Sequence, residues 1–237
     1  MASAKAMVSG KLYGVGVGPG DPELMTVKAW RLISTARIIA YLCANGKDST
    51  ARDIAKPFIT EGITEITIDM PMRVEREPAQ AAYDKGAKEI AAHLEQGRDV
   101  VMLCEGDPFF YGSFMYVFER LADKFKTIVV PGVTSITAAA AAIGRPLVER
   151  DEVLKVLPAT LDAERLLAEI KTASAAAIIK VGRHFGKVKA ILAELHLLDK
   201  ATAIENATHE NQIIRPLTDI EGDTLPYFTT IIVKSRP

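Results

Sequence analysis

The chain has 237 residues, 49% of them hydrophobic and 25% charged, with 29 basic against 30 acidic side chains. That length buries one large or two modest cores. The net charge of −1 supplies no field to gather nucleic acid, a membrane surface or polyanions. No apolar run reaches the length of a membrane span, and "MASAKAMVSG" lacks the apolar segment of a signal peptide, so a soluble cytoplasmic protein is the expectation. Cys43 and Cys104 fall in apolar runs without CxxC or Cys/His spacing, which reads as two buried small hydrophobes in a reducing compartment. His93, His196 and His209 also lack metal-ligand spacing, so no metal is expected.

In chain order, short apolar runs alternate with segments of helical period. "KLYGVGVG" reads as a strand and "TVKAWRLISTA" as a helix with Trp30 in the core. "RIIAYLC" is strand-like, and "STARDIAKPFI" is helical with Ser49 or Thr50 as its cap. "EITIDM" alternates like a strand and ends at Pro71. Pro78 suits the first turn of a long helix that Gly97 closes. "DVVMLC" and "TIVV" are further strands with a helix between them, and "SITAAAAAIG" is a helix of small residues that needs close packing. This alternation predicts an α/β domain over 1–146 with a mostly parallel sheet. The charged, proline-bearing "RPLVERDE" reads as a linker into a second α/β domain over 147–237. Its strands, "VLKVLPA", "AAAIIKVG", "ATAIENAT", "QIIRPL" and "YFTTIIVK", alternate more, as a mixed sheet requires.

The turn "GVGVGPGDP" refuses a dinucleotide-binding reading. Proline or aspartate stands where GxGxxG needs its last glycine, and the second strand ends without an acid for a ribose. No Walker motif is present. Three loops share one design: "GVGPGDPELMT", "CEGDPFFYGS" and "VPGVTSIT" each join small residues to a proline and then open a helix. At the ends of neighbouring strands they build a concave, backbone-lined pocket for an uncharged or mildly cationic ligand.

These loops, with "IIKVGRH", "IENAT" and "YFTTIIV", resemble the tetrapyrrole methylase family over nearly the whole chain. The resemblance implies a two-domain fold with S-adenosylmethionine as methyl donor, bound between the domains, and no metal. It assigns Pro19, Glu105, Gly106, Asp107, Phe110, Thr134 and Ser135 to the cofactor from the first domain. Val181 and Ala207 bracket the adenine from the second, with Pro226, Tyr227 and Phe228 nearby. "PMR" at 71–73 and the stretch from Ala81 to Leu121 most resemble the branch that methylates precorrin-2 at its C-20 meso carbon in cobalamin synthesis. The substrate is then a flat tetrapyrrole rich in carboxylates, for which Arg73, Tyr111, Arg183 and His184 are candidate contacts. Arg76, Arg145 and Arg150 are further arginines able to fork onto a carboxylate. Glu105 and Tyr111 are the candidates to receive a proton. Leu42 stands where the uroporphyrinogen-methylating branch carries an aspartate, which argues against that branch. The resemblance also implies a homodimer. The alternatives are a cobalt-containing substrate, an RNA or protein methylase of the same fold, and a non-catalytic sensor of cofactor or tetrapyrrole.

Overall fold

The computed structural model describes residues 9–44, 46, 49–71 and 76–234, with Arg76 described in its backbone alone. The chain divides into two compact units, residues 1–134 and 135–237. Arg73 and the side chain of Arg76 lie outside the described residues.

The first unit holds a five-stranded sheet in the order β3-β2-β4-β1-β5, with every pairing parallel. Its strands are β1 (Leu12–Gly16), β2 (Ile38–Ala44), β3 (Thr64–Met70), β4 (Val100–Cys104) and β5 (Thr127–Val130). The helices α1 (Val27–Ser34) and α2 (Thr50–Ala55) cover one face, and α3 (Arg76–Glu95) and α4 (Phe114–Leu121) the other. β4 shows why the sequence reads as an unbroken apolar run: Val100, Met102 and Cys104 pack towards α3 and α4, Val101 and Leu103 towards α1 and α2. Thr26 caps α1 through Ala29 N–H (3.1 Å), and Ser49 caps α2 through Arg52 N–H (3.4 Å). Trp30 departs from expectation. α1 buries Ala29 and Ile33, and Trp30, a step round the helix from Ala29, is 47% exposed.

The second unit contains α5 (Ser135–Ala142), β6 (Leu154–Pro158), α6 (Ala163–Lys171), β7 (Ala175–Ile179), α7 (Phe185–Glu194), β8 (Ala201–Glu205), β9 (Ile213–Pro216) and β10 (Thr229–Lys234). The sheet order is β6-β7-β10-β8-β9; β6 and β7 are parallel, and the other pairings are antiparallel. Residues 145–152, read as a linker, lie inside this unit. α5 ahead of them packs Ile136 and Ala139 against Ala177, Ile179, Ile204 and Ile232 of the second sheet. That also explains why β7 and β10 alternate less than a one-sided sheet would: helices cover the face opposite α5 as well, through Leu166, Phe185 and Val188. Both cysteines are buried, as their apolar surroundings predict. No helix among the described residues is long and apolar enough to cross a membrane.

Candidate active site

The sheet order puts β4, β1 and β5 side by side, so the three proline-containing loops leave one edge of the first sheet as neighbours. Their backbones touch. Gly106 N–H donates to Gly18 O at 2.8 Å, and Gly18 N–H returns to Gly106 O at 3.4 Å. A Cβ on Gly132 would meet Gly106 O at 2.0 Å, and one on Gly16 would meet the same oxygen at 2.5 Å. Glycine at 16 and 132 is therefore a packing requirement, since any side chain would drive the loops apart. Gly106 adds a left-handed φ of +62°.

Asp107 locks the arrangement. Its Oδ1 accepts from Phe109 N–H (2.9 Å) and Phe110 N–H (3.1 Å), while Oδ2 accepts from Gly132 N–H (3.0 Å) in the third loop. One carboxylate thus shapes its own turn and ties two loops together. Its oxygens are engaged with backbone, so Asp107 acts by holding the two loops in shape. Asp21 does the same on a smaller scale in the first loop, accepting from Glu23 N–H at 2.8 Å beyond the half-buried Pro19.

Glu105 is accessible to solvent yet crowded by protein, and that crowding raises its carboxyl above the ordinary range. Its own backbone and that of Ala51 in α2 oppose the rise. Beyond Pro108, Phe109 packs edge-on to Phe118 with centroids 5.0 Å apart, and Phe110 meets Tyr111 edge-on at 5.3 Å. Phe110 is 38% and Tyr111 42% exposed. Tyr111 holds φ +56°, a conformation that strains a bulky residue by about 1–3 kcal/mol. Thr134 is half-buried, as is Ser135, the first residue of α5.

In the second unit, β7 and β8 run the same way with β10 antiparallel between them, so the ends of the first two meet the start of the third at one sheet edge. There the backbone is again unusual: Lys180, Asn206 and Thr208 take φ of +56°, +49° and +68°. Val181 is fully buried and Ala207 nearly so, in the cores on opposite faces of the sheet. Pro226, Tyr227 and Phe228 are exposed at this edge, Tyr227 by 66%, and Asn206 N–H donates to Phe228 O at 2.8 Å. Arg183 is exposed, and its Nε approaches His184 Nε2 at 3.5 Å. Partial burial, then Lys187 and Arg183, lower the His184 pKa and favour neutral imidazole as the acceptor.

Two arrangements escaped the sequence reading. Arg52 of α2 grips Glu65 of β3 with Nε to Oε2 at 2.7 Å and Nη2 to Oε1 at 2.9 Å, and Tyr41 of β2 donates to the same Oε2 at 2.7 Å. Glu205, 4% exposed at the end of β8, pairs with Arg215 of β9. A forked arginine separated from its partner by thirteen positions leaves no local signal. The register of β2 on β3, which sets Tyr41 opposite Thr67 and near Glu65, creates the first contact.

The chemistry of the three-loop edge is one-sided. Residues 17–26, 105–113 and 131–135 contain Asp21, Glu23, Glu105 and Asp107 and no lysine or arginine. Such a rim repels a polyphosphate and accommodates a cation. Backbone amides and carbonyls together with Phe110 and Tyr111 suit the uncharged remainder of a small ligand.

The family model for tetrapyrrole (corrin/porphyrin) methylases matches residues 11–221. The cobalamin biosynthesis protein CobIJ of Mycobacterium bovis is 42% identical over 228 residues, covering 93% of this chain and 45% of that protein. The chain thus spans about half the length of that relative. The precorrin-2 C(20)-methyltransferase of Sinorhizobium sp. is 37% identical over 239 residues, covering 96% of this chain and 98% of that one. Among solved structures, the methyltransferase CobJ superposes with a TM-score of 0.68 at 25% identity, covering 95% and 94% of the two chains. Members of the matched family are S-adenosylmethionine-dependent methyltransferases. On the family match and these near-full-length similarities, the chain belongs to the tetrapyrrole methylases.

Proposed function

We propose that the protein is an S-adenosylmethionine-dependent C-methyltransferase that methylates the C-20 meso carbon of precorrin-2, giving precorrin-3A in cobalamin synthesis. The similarity along nearly the entire length of the Sinorhizobium enzyme carries this reading. The acidic, backbone-lined loop edge is consistent with it, because S-adenosylmethionine brings one positive sulfonium and no phosphate. When bound, it supplies an electrophilic methyl that a nucleophilic bridge carbon of the macrocycle takes by displacement.

The residues of this chain then act by placement. Gly106 and the turn held by Asp107 offer main-chain groups to the methionine and ribose portions, with Pro19 and Phe110 as apolar walls and Thr134 and Ser135 at the third loop. Val181 and Ala207 are assigned to the adenine by the family pattern, with the 226–228 segment nearby. Because Val181 and Ala207 are buried, their role falls to the main chain around them and to exposed Tyr227 and Phe228. Alignment of carbon, methyl and sulfur can lower a barrier by about 7–11 kcal/mol, and an electron-rich bridge carbon needs little further activation. The acidic rim steadies the sulfonium before transfer, and a rim of modest strength avoids over-stabilising the charged ground state. Glu105, whose carboxyl is raised by crowding, and Tyr111 are the two proton-accepting candidates; Tyr111 also offers an exposed ring face to the flat substrate. Arg183 supplies a guanidinium for a substrate carboxylate, and Arg73 a second.

Mass spectrometry of reactions holding purified protein, S-adenosylmethionine and either precorrin-2 or its cobalt form tests the reading. One added methyl on precorrin-2, with S-adenosylhomocysteine released, is expected. Methylation of the cobalt form alone would move the protein to the cobalt-bearing substrate, and labelling of RNA alone would overturn the reading. We infer a cytoplasmic homodimer from the same resemblance, which sedimentation velocity checks.

A further inference from the structure

Leaving β8, Asn206 and Thr208 take left-handed φ on either side of Ala207. Asparagine visits the left-handed region readily, but Thr208, at φ +68°, is β-branched and crowds its own main chain there. The segment keeps this shape because it is tied on several sides. Asn206 N–H donates to Phe228 O at 2.8 Å, and His209 N–H donates to Asn206 O at 3.0 Å. Glu205, just before it, is buried against Arg215. Thr208 N–H donates to the side-chain Oε1 of Gln212 at 2.8 Å. Gln212 is itself fixed, its N–H donating to His209 O at 3.0 Å. The Gln212 amide reaches the strained threonine through its side chain. Ala207 packs its methyl into the core with Ile179 and Ile204, so what Ala207 itself can offer a ligand at this turn is its main chain.

We propose that Gln212 is a positioning residue, holding Thr208 in the left-handed backbone that presents the main chain of residues 206–208 to the adenosine end of S-adenosylmethionine, without touching the ligand. The inference rests on the function proposed above.

Calorimetric binding of S-adenosylmethionine, which needs no tetrapyrrole, tests it alongside thermal melting. Gln212→Ala is expected to weaken binding about 5- to 10-fold, the effect of one lost hydrogen bond passed to the site. Gln212→Glu keeps an oxygen acceptor and is expected to stay within about twofold of wild type. Glycine holds positive φ without support, so Thr208→Gly in the Gln212→Ala background is expected to restore affinity to within about twofold of Thr208→Gly alone. A role in stability alone would not produce that rescue. Wild-type affinity in Gln212→Ala, or a double variant as weak as Gln212→Ala, would overturn the inference. Should Gln212→Ala fail to fold, Gln212→Glu binding more than about tenfold weaker would overturn it instead, because its acceptor is retained. Wild-type protein that takes up no S-adenosylmethionine would overturn the methyltransferase reading and this inference with it, an outcome distinct from equal binding by wild type and variant.

Discussion

Asp107→Asn separates a carboxylate that shapes the pocket from one that contacts the ligand. The three N–H groups that Asp107 accepts lie on two sides of the carboxylate, at 2.9 and 3.1 Å on Oδ1 and 3.0 Å on Oδ2. Asparagine has one acceptor oxygen. If that oxygen faces Phe109 and Phe110, the new NH₂ confronts Gly132 N–H, donor against donor; if the amide flips, it confronts the other two. Losing one charge-assisted bond and leaving its donor opposed destabilises the first unit by about 1.5–3 kcal/mol. For a unit of this size that lowers the melting temperature by about 5–10 °C. Asp107→Ala, which loses all three bonds, should melt lower still. Scanning calorimetry with and without S-adenosylmethionine reads both effects, and affinity should fall in step with stability. An unchanged melting temperature with lost affinity would refute the reasoning, since the carboxylate would then act on the ligand rather than on the turn.

Gly132→Ala forces a Cβ to within 2.0 Å of Gly106 O, so the second and third loops must part. A loss of about 2–4 kcal/mol by denaturant titration is expected, against about 1 kcal/mol for Gly144→Ala, where positive φ is strained but space is open. Glu65→Gln tests the tie between α2 and the sheet. The paired Arg52 guanidinium, then the Tyr41 hydroxyl, hold the Glu65 carboxyl below its ordinary value, with burial opposing them. A depressed carboxyl contributes stability that is complete above the ordinary glutamate range and lost as pH falls through its folded value. The variant should therefore be less stable by about 1–2 kcal/mol at neutral pH, with the difference shrinking in melts run down to about pH 3. Arg183→Ala should raise KM for the tetrapyrrole by about tenfold and leave S-adenosylmethionine affinity unchanged, as steady-state kinetics with each substrate varied will show.

Much of the loop geometry could be read from the sequence because its parts are local. Each loop announces itself by proline and glycine directly after an apolar run, and the parallel order β4-β1-β5 then brings the three together without further instruction. Asp107 is legible for the same reason: an acid followed by proline two residues before the backbone it caps forms its turn locally. What the sequence hid depends on register or on distant packing. Arg52 finds Glu65 through the pairing of β2 with β3, and Arg215 finds Glu205 across β8 and β9. The left-handed φ at Tyr111, Asn206 and Thr208 could not be foreseen from residue type, because two of the three are residues that avoid it. The packing of the helix ahead of 145–152 was likewise hidden: that helix is made of small residues with no amphipathic stripe, and only the second sheet shows what they fit.

The central claim is the identity and position of the carbon that receives the methyl. Carbon-13 nuclear magnetic resonance of product formed from precorrin-2 and S-adenosylmethionine labelled in its methyl group reads it directly. One enriched methyl attached to the C-20 meso carbon is the predicted result. Label on any other carbon, or none on the macrocycle while S-adenosylmethionine is bound, would contradict the account.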